Sequence, residues 1–277
     1  MRLILSFARS KAGFNLSRAI FRLREHTDRL FASAHIVGLQ IPFSVDEINT
    51  ACIETVRVNR LRECYIRPIV FIGEGEMGLA AVNNPIRVAV IAWPWGSYLG
   101  DEGVRNGIRV KTSSYQRFHV NTMMTKAKVV GHYVNSILAS IEARKSGYDE
   151  ALMLDTDGFV AECSGENIFI VRNGVVKTSP LTSVLPGITR DAALALLRDG
   201  GQAPVEDRFT RDEIYVADEA FLTGTAAEIT PIREVDDRQI GSGRPGPVTT
   251  RLQTDFAGVI RGRASKYKKW LAPIPVD

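Results

Sequence analysis

The sequence is poor in the residues that mark several functional classes. Cysteine occurs three times in 277 residues, as Cys52, Cys64 and Cys163. Three cysteines cannot all pair within one chain, and their spacing matches no metal-ligand pattern. That argues against a disulfide scaffold and a zinc module, and it points to a reducing, cytoplasmic setting with no metal. No run of about 18 apolar residues is present, so no membrane-spanning helix is expected. The apolar stretch after Met1 is too short for a signal peptide, and Arg9, Lys11 and Arg18 follow it at once. An excess of one charge is also lacking: 35 Lys and Arg against 31 Asp and Glu leave a formal charge of +4. Much of the local basic excess lies between Arg261 and Lys269, which reads as a solvated terminal face rather than a nucleic-acid surface. Internal repeats and low-complexity segments are absent.

What remains is an ordinary globular composition, 45% hydrophobic and 24% charged. The length allows one large or two modest domains. Residues 25–37 read as a helix closed by Gly38. Ser44-Val45-Asp46-Glu47 is a capping box that opens a second helix with Ile48, Cys52 and Val56 on one face. Residues 64–72 and 87–93 are β-rich. Together these predict a small α/β domain over residues 1–93, followed by a connecting loop over 94–103 that contains Pro94, Gly96, Gly100 and Gly103.

Residues 104–277 read as a second domain of short strands and interspersed helices. Residues 107–113 are strand-like, and 128–145 carry helical periodicity up to Gly147. Strand-like runs flank Thr156-Asp157-Gly158, and a hairpin is expected around Asn173-Gly174. Helices are predicted over 188–197, after Thr210-Arg211-Asp212-Glu213, and over 247–260. Further strands are expected at 219–222 and 228–232.

Within this second domain stand Lys128, Tyr133 five positions on, and Glu162 at the end of a strand-like run. Pyridoxal phosphate (PLP) chemistry needs such a set. A lysine amine forms a Schiff base with the cofactor aldehyde, and a carboxylate keeps the pyridine nitrogen protonated so that the ring can draw electrons. Lys126 is a rival lysine and Glu166 a rival carboxylate. Taken singly, each of these residues is equally well a surface or core residue.

From Ile20 to Phe256 the chain resembles the fold-type IV PLP enzymes, most closely the branched-chain amino-acid aminotransferases. The resemblance rests on segments in order: Phe21 to Leu30, Tyr65-Ile66-Arg67-Pro68, Pro94 to Gly100, and Lys128-Val129-Val130-Gly131-His132-Tyr133. It continues through Glu162 to Phe169, Leu185-Pro186-Gly187-Ile188-Thr189, Gly224-Thr225-Ala226 to Pro231, and Gly246-Pro247. It implies an α+β fold, with a small N-terminal α/β domain and a larger C-terminal pseudo-barrel domain that binds PLP. The implied activity is transamination of L-leucine, L-isoleucine and L-valine with 2-oxoglutarate in a homodimer or higher homo-oligomer. The alternatives are another fold-type IV transaminase, acting on D-amino acids or amines, and a relative that binds PLP without turnover.

The resemblance also implies residue roles. Lys128 is the Schiff-base lysine, Tyr133 bonds the cofactor's phenolic oxygen, and Glu162 meets the pyridine nitrogen. Arg29 would hold the phosphate, with Arg22 and Arg24 as local competitors. Ile188, Thr189 and Thr225 would add donors to the phosphate, since a helix start presents free N–H groups. Leu185 would pack on the ring. Thr225 and Ala226 would meet the substrate carboxylate, and Tyr65 and Arg67 the second carboxylate of glutamate. Trp95 and Tyr98 would wall the pocket, and Leu79 would reach a partner's pocket from the Met77-Gly78-Leu79 loop. Val129, Val130 and His132 depart from the family pattern. Residues 1–20 lie outside the resemblance; the family's Phe-Glu-Gly-Ile/Val-Arg stretch is expected before Phe21 and does not occur, so strands and part of the pocket are expected to be lacking.

Overall fold

The computed structural model describes residues 2–3, 18–80, 82–96 and 98–275. Most of the unusual N-terminal stretch over residues 1–20 lies outside the described residues. The chain divides into two compact units, residues 1–95 with 258–277, and residues 96–257. The last twenty residues, expected to belong to the second domain, group with the first unit.

The first unit begins with β1 (Arg2–Leu3) and β2 (Ala19–Phe21), then α1 (Leu23–Ile36) and α2 (Val45–Val58). The capping box opening α2 is formed: the Glu47 N–H donates to Ser44 Oγ at 3.2 Å, and the Ser44 N–H to Glu47 Oε2 at 2.7 Å. Two otherwise unpaired donors are thereby satisfied. Ile48, Cys52 and Val56 are the buried face of α2. They join Ile20, Leu23, Cys64 and Ile66 in one core. The strands β3 (Cys64–Ile72) and β4 (Ile86–Trp93) pair antiparallel from Tyr65–Trp93 to Ile72–Ile86, and β1 adds to the free edge of β3.

The second unit opens with α3 (Gly100–Asn106), where the glycines predict a loop. Asp101 and Glu102 in its first turn and Arg105 in its last complement the helix dipole, which offsets the glycine content. Next come β5 (Ile108–Thr112), α4 (Val134–Lys145), β6 (Glu150–Leu154), β7 (Val160–Cys163), β8 (Asn167–Arg172) and β9 (Val175–Thr178). They are followed by α5 (Ile188–Asp199), β10 (Val205–Glu206), α6 (Arg211–Tyr215), β11 (Glu219–Gly224), β12 (Glu228–Val235), β13 (Arg238–Gln239) and α7 (Pro247–Ile260).

The sheet of this unit runs β10-β9-β8-β11-β12-β5-β6-β7, with β13 on β12. Its two ends curl toward each other. On β7, Val160 donates its N–H to the Phe209 carbonyl at 2.9 Å, and its own carbonyl accepts from Ser179 Oγ at 2.8 Å. Phe209 and Ser179 lie just beyond the strands of the opposite edge, so the sheet forms a half-barrel and the α+β expectation holds. Phe169 and Phe221, opposite one another on β8 and β11, stack with centroids 5.0 Å apart. Ile168, Ile170, Leu222 and Ile232 belong to the main core.

The chain returns to the first unit through a 3-10 turn (Ser265–Trp270) and β14 (Leu271–Pro273), which pairs antiparallel with β2. This pairing explains the grouping of the last twenty residues. The Phe21 and Trp270 rings meet edge to face at 6.0 Å.

Candidate active site

Lys128 does not begin a helix, contrary to the periodicity. It lies in irregular chain, Val129 is extended, and a 3-10 turn covers Val130–Tyr133 before α4 starts at Val134. Two β-branched valines followed by Gly131 disfavour the helix there. Tyr133 is therefore the N-cap residue of α4 and not a member of its second turn. Its hydroxyl and the Lys128 amine are hydrogen-bonded to each other.

Both residues line a small cavity that also includes Arg117, Glu162, Gly165 and Leu185. A larger cleft runs along α5 and α7 beside Leu197 and Arg251, and it holds none of the expected site residues. The smaller cavity is the one with a convergent set of ionisable groups.

Glu162, on β7, is buried in this cavity. Arg117 Nη2 lies 2.9 Å from its Oε1, and Asn167 Nδ2 donates to its Oε2 at 3.0 Å. The Leu185 N–H donates to Oε2 at 3.3 Å. Burial pushes the carboxyl above its ordinary range, while Arg117, the Leu185 N–H, Lys128 and Lys126 draw it back. A cation or a protonated ring nitrogen in the cavity would draw it further toward the carboxylate. Arg117 is held by stacking over the Phe118 ring at 4.3 Å. Its role is not legible in the sequence, because a single arginine in Ser113-Ser114-Tyr115-Gln116-Arg117 carries no motif.

Lys126, the rival lysine, has its amine engaged. It donates to the carbonyls of Thr182 and Val184, both at 3.2 Å, and to that of Leu181. Burial lowers its pKa; Glu162 opposes this, and Arg117 and Arg190 reinforce it. Glu166, the rival carboxylate, is not among the residues that line this cavity: it accepts from the Gly165 N–H at 3.3 Å, and burial with nearby Glu150 pushes it well above the usual carboxylate range.

Leu185 leads into α5, whose N-cap residue is Gly187. Asn167 Nδ2 donates to the Leu185 carbonyl at 3.0 Å. A Cβ on Gly187 would collide with Asn167 Oδ1, so a larger residue there would have to displace the amide that is bonded to Glu162 and Leu185. The N-cap glycine has no side chain with which to cap this helix. The contrast with α7 is direct: there Glu219 accepts from the Val248 and Thr249 N–H groups at 3.0 and 2.8 Å and fills the helix start with a carboxylate. The first turn of α5, with Ile188 and buried Thr189, is left able to meet an anion. Thr225 and Ala226 form the turn between β11 and β12. This turn adjoins the Gly165–Glu166 corner, since a Cβ on Gly224 would lie 2.9 Å from Glu166 Cγ. Tyr98 is also in this unit, where burial first, then Glu166 and Glu150, push its hydroxyl up to about 12.

The remaining candidates belong to the first unit. Tyr65 packs on Trp95 at 4.9 Å and on Trp93 at 5.0 Å, forming an aromatic wall. The exposed Arg67 guanidinium lies 5.4 Å from the Tyr65 and Trp93 ring centres. Arg29 is half-buried on α1, where its carbonyl accepts from Ser33 Oγ at 2.7 Å. Leu79 and Met77 are fully exposed between β3 and β4.

The donor set of the second unit suits PLP: a primary amine with a tyrosine hydroxyl beside it, a buried carboxylate in the same cavity, and a helix start with glycine at its N-cap. The family model of class IV amino-transferases matches residues 14–235. A Pseudomonas aeruginosa protein named branched-chain-amino-acid aminotransferase is 55% identical over 252 residues, spanning 91% of this chain and 82% of that protein. One of the same name from Escherichia coli K12 is 45% identical over 257 residues, with 91% and 82% covered. The solved structure of a branched-chain amino acid aminotransferase from Thermobaculum terrenum, in its PLP form, superposes with a TM-score of 0.91 at 35% identity, over 99% of this chain and 88% of that one.

Proposed function

The chain belongs to the class IV aminotransferases, and we infer that it is a PLP-dependent transaminase of L-leucine, L-isoleucine and L-valine. The amino group goes to 2-oxoglutarate, giving L-glutamate and the branched-chain 2-oxo acid in two half-reactions through one site. The observation that carries this reading is the convergence of Lys128, Tyr133 and Glu162 on one cavity, with Lys128 bonded to Tyr133.

Bound there, the cofactor supplies the electron sink that lets the substrate α-carbon lose its proton. Lys128 Nζ takes that proton and returns it, and the Tyr133 hydroxyl orients the amine. Glu162 would keep a proton on the ring nitrogen by its charge, and Arg117 and Asn167 fix the carboxylate in place. Thr189, the Ile188 N–H and Thr225 would hold the phosphate, and Arg29 is the residue that would supply its cationic partner. Leu185 covers the ring. The role proposed for Thr225 and Ala226 is to receive the α-carboxylate, and that proposed for Tyr65, Arg67, Trp95 and Tyr98 is to receive the substrate side chain, an alkyl group in one half-reaction and the distal carboxylate of glutamate in the other.

The working form is a homodimer in the cytoplasm. Val130, Val134, Ile137 and Ile141 recur at helical spacing along one side of α4 and its approach, and are 45–71% exposed. They offer apolar surface for a second copy. Among the described residues no helix is long and apolar enough to cross a membrane.

The test is the absorption spectrum of the purified chain with PLP, before and after leucine. A yellow form that leucine bleaches and 2-oxoglutarate restores supports the reading, and Lys128→Ala abolishes the cycle. A spectrum that shows bound PLP but ignores leucine overturns the substrate assignment.

A further inference from the structure

Lys126 lies two residues before the lysine assigned to carry the cofactor, and its ammonium is committed to a different task. The carbonyls of Leu181, Thr182 and Val184 converge on its Nζ, and Thr125 Oγ1 is 3.3 Å away. Three carbonyl oxygens pointing at one spot repel one another unless a cation stands among them. Thr125 adds a second tie, its hydroxyl donating to the Thr182 carbonyl at 3.3 Å. The same loop is fastened at its start by Arg190 Nη2, which donates to the Ser179 carbonyl at 2.9 Å. Its end is fastened by Leu185, whose N–H goes to Glu162 and whose carbonyl accepts from Asn167. Only the middle depends on Lys126 and Thr125 among these fastenings.

We propose that Lys126 is a positioning residue, whose ammonium pins the 181–184 loop to the segment carrying Lys128 and thereby holds the start of α5 in register with that lysine. The proposal rests on the reading of Lys128 as the cofactor lysine. An ammonium suits the task because it offers three donors on a flexible stem and its charge strengthens each bond. The consequence for the reaction is indirect. The phosphate-facing turn and the amine that holds the other end of the cofactor are joined by a bridge outside the cavity, so cofactor retention depends on a side chain that does not touch the cofactor.

The experiment compares Lys126→Met and Lys126→Arg with the parent holoenzyme, by amide hydrogen exchange and by release of PLP on dialysis. In Lys126→Met, exchange quickens at residues 181–185 but not across the rest of 96–257, and PLP is lost about tenfold faster. Lys126→Arg, which keeps charge and donors, recovers most of both. Unchanged exchange and retention in Lys126→Met overturn the proposal. So does uniform acceleration across the unit, which marks a general loss of stability, and so does faster loop exchange with unaltered retention. Should the parent chain itself not hold PLP, the assigned function fails, while exchange at 181–185 in the cofactor-free protein still decides whether Lys126 holds the loop.

Discussion

The aromatic wall of the first unit and the ionisable cavity of the second are built on opposite principles. Tyr65, Trp93 and Trp95 hold one another by ring contacts 4.9–5.7 Å apart, with Arg67 exposed beside them. Ring packing is tolerant of small shifts, and an exposed guanidinium can swing. In the cavity, Glu162 is fixed by Arg117, Asn167 and the Leu185 N–H, all within 3.5 Å. A buried ion pair tolerates little, since removing one partner leaves the other uncompensated. The difference matches the division of labour proposed for the two regions. Proton transfer needs one geometry, whereas a wall that accepts both an isobutyl group and a carboxylate needs two.

Lys128→Ala breaks the comparison most severely. Without the amine no group in the cavity moves the α-proton, and leucine–2-oxoglutarate exchange falls by roughly ten-thousand-fold or more. Steady-state rates measure this, with far-UV circular dichroism as a check that the fold survives. Exchange within tenfold of the parent would transfer the role elsewhere, although Lys126 is committed to carbonyls.

Glu162→Gln comes next. Glutamine keeps the shape and can still accept from Asn167 and Leu185, but it brings no charge to Arg117 or to a ring nitrogen. The leucine half-reaction slows about a hundred- to a thousand-fold, followed by single-turnover absorbance changes. Glu166→Gln has no comparable effect on this half-reaction, so the pair of variants separates the two rival carboxylates.

Much of this contrast is legible in the sequence, unevenly. Ser44 and Glu47 announce α2, and Pro247 to Ile260 form a helix over the range expected. Lys128, Tyr133, Glu162 and Leu185 stand out in order along the chain and line one cavity. The patterns that fail are those set by distant chain. Arg117 meets Glu162 across 45 positions, and β2 pairs with β14 from the far end of the sequence. No local periodicity encodes such partners. The helix expected from Lys128 also fails, because apolar periodicity does not register that Val129, Val130 and Gly131 resist helical backbone. The glycines of α3 mislead in the other direction, since charge placement at its two ends outweighs their conformational freedom.

Arg67→Ala sharpens the comparison from the side of the wall. The guanidinium is exposed, so its loss removes attraction without leaving a buried charge unpaired. KM for 2-oxoglutarate rises about tenfold, while kcat/KM for leucine stays within about threefold. Equal losses for both substrates would mean that Arg67 supports the wall as a whole and does not read the distal carboxylate.

The smallest effect concerns the acids behind the cavity. Glu150 and Glu166 are both buried, Glu150 Oε2 has no hydrogen-bond partner among the described residues, and burial is the largest cause that raises each. Glu166 is raised further by Glu150. A carboxyl whose folded pKa exceeds the ordinary 4.5 keeps its proton in the fold while the unfolded chain gives it up. The native state then binds more protons than the unfolded state, and stability declines as pH climbs above about 4.5 toward the folded pKa. Glutamine at 166 cannot ionise, which removes this loss. The melting temperature of Glu166→Gln relative to the parent therefore rises by a few degrees between pH 5 and pH 8, read by thermal unfolding of the cofactor-free proteins. A difference that stays constant with pH would mean that Glu166 is ionised in the fold. The cavity would then be held by fixed charges throughout, and the neutral acids would not belong to its structure.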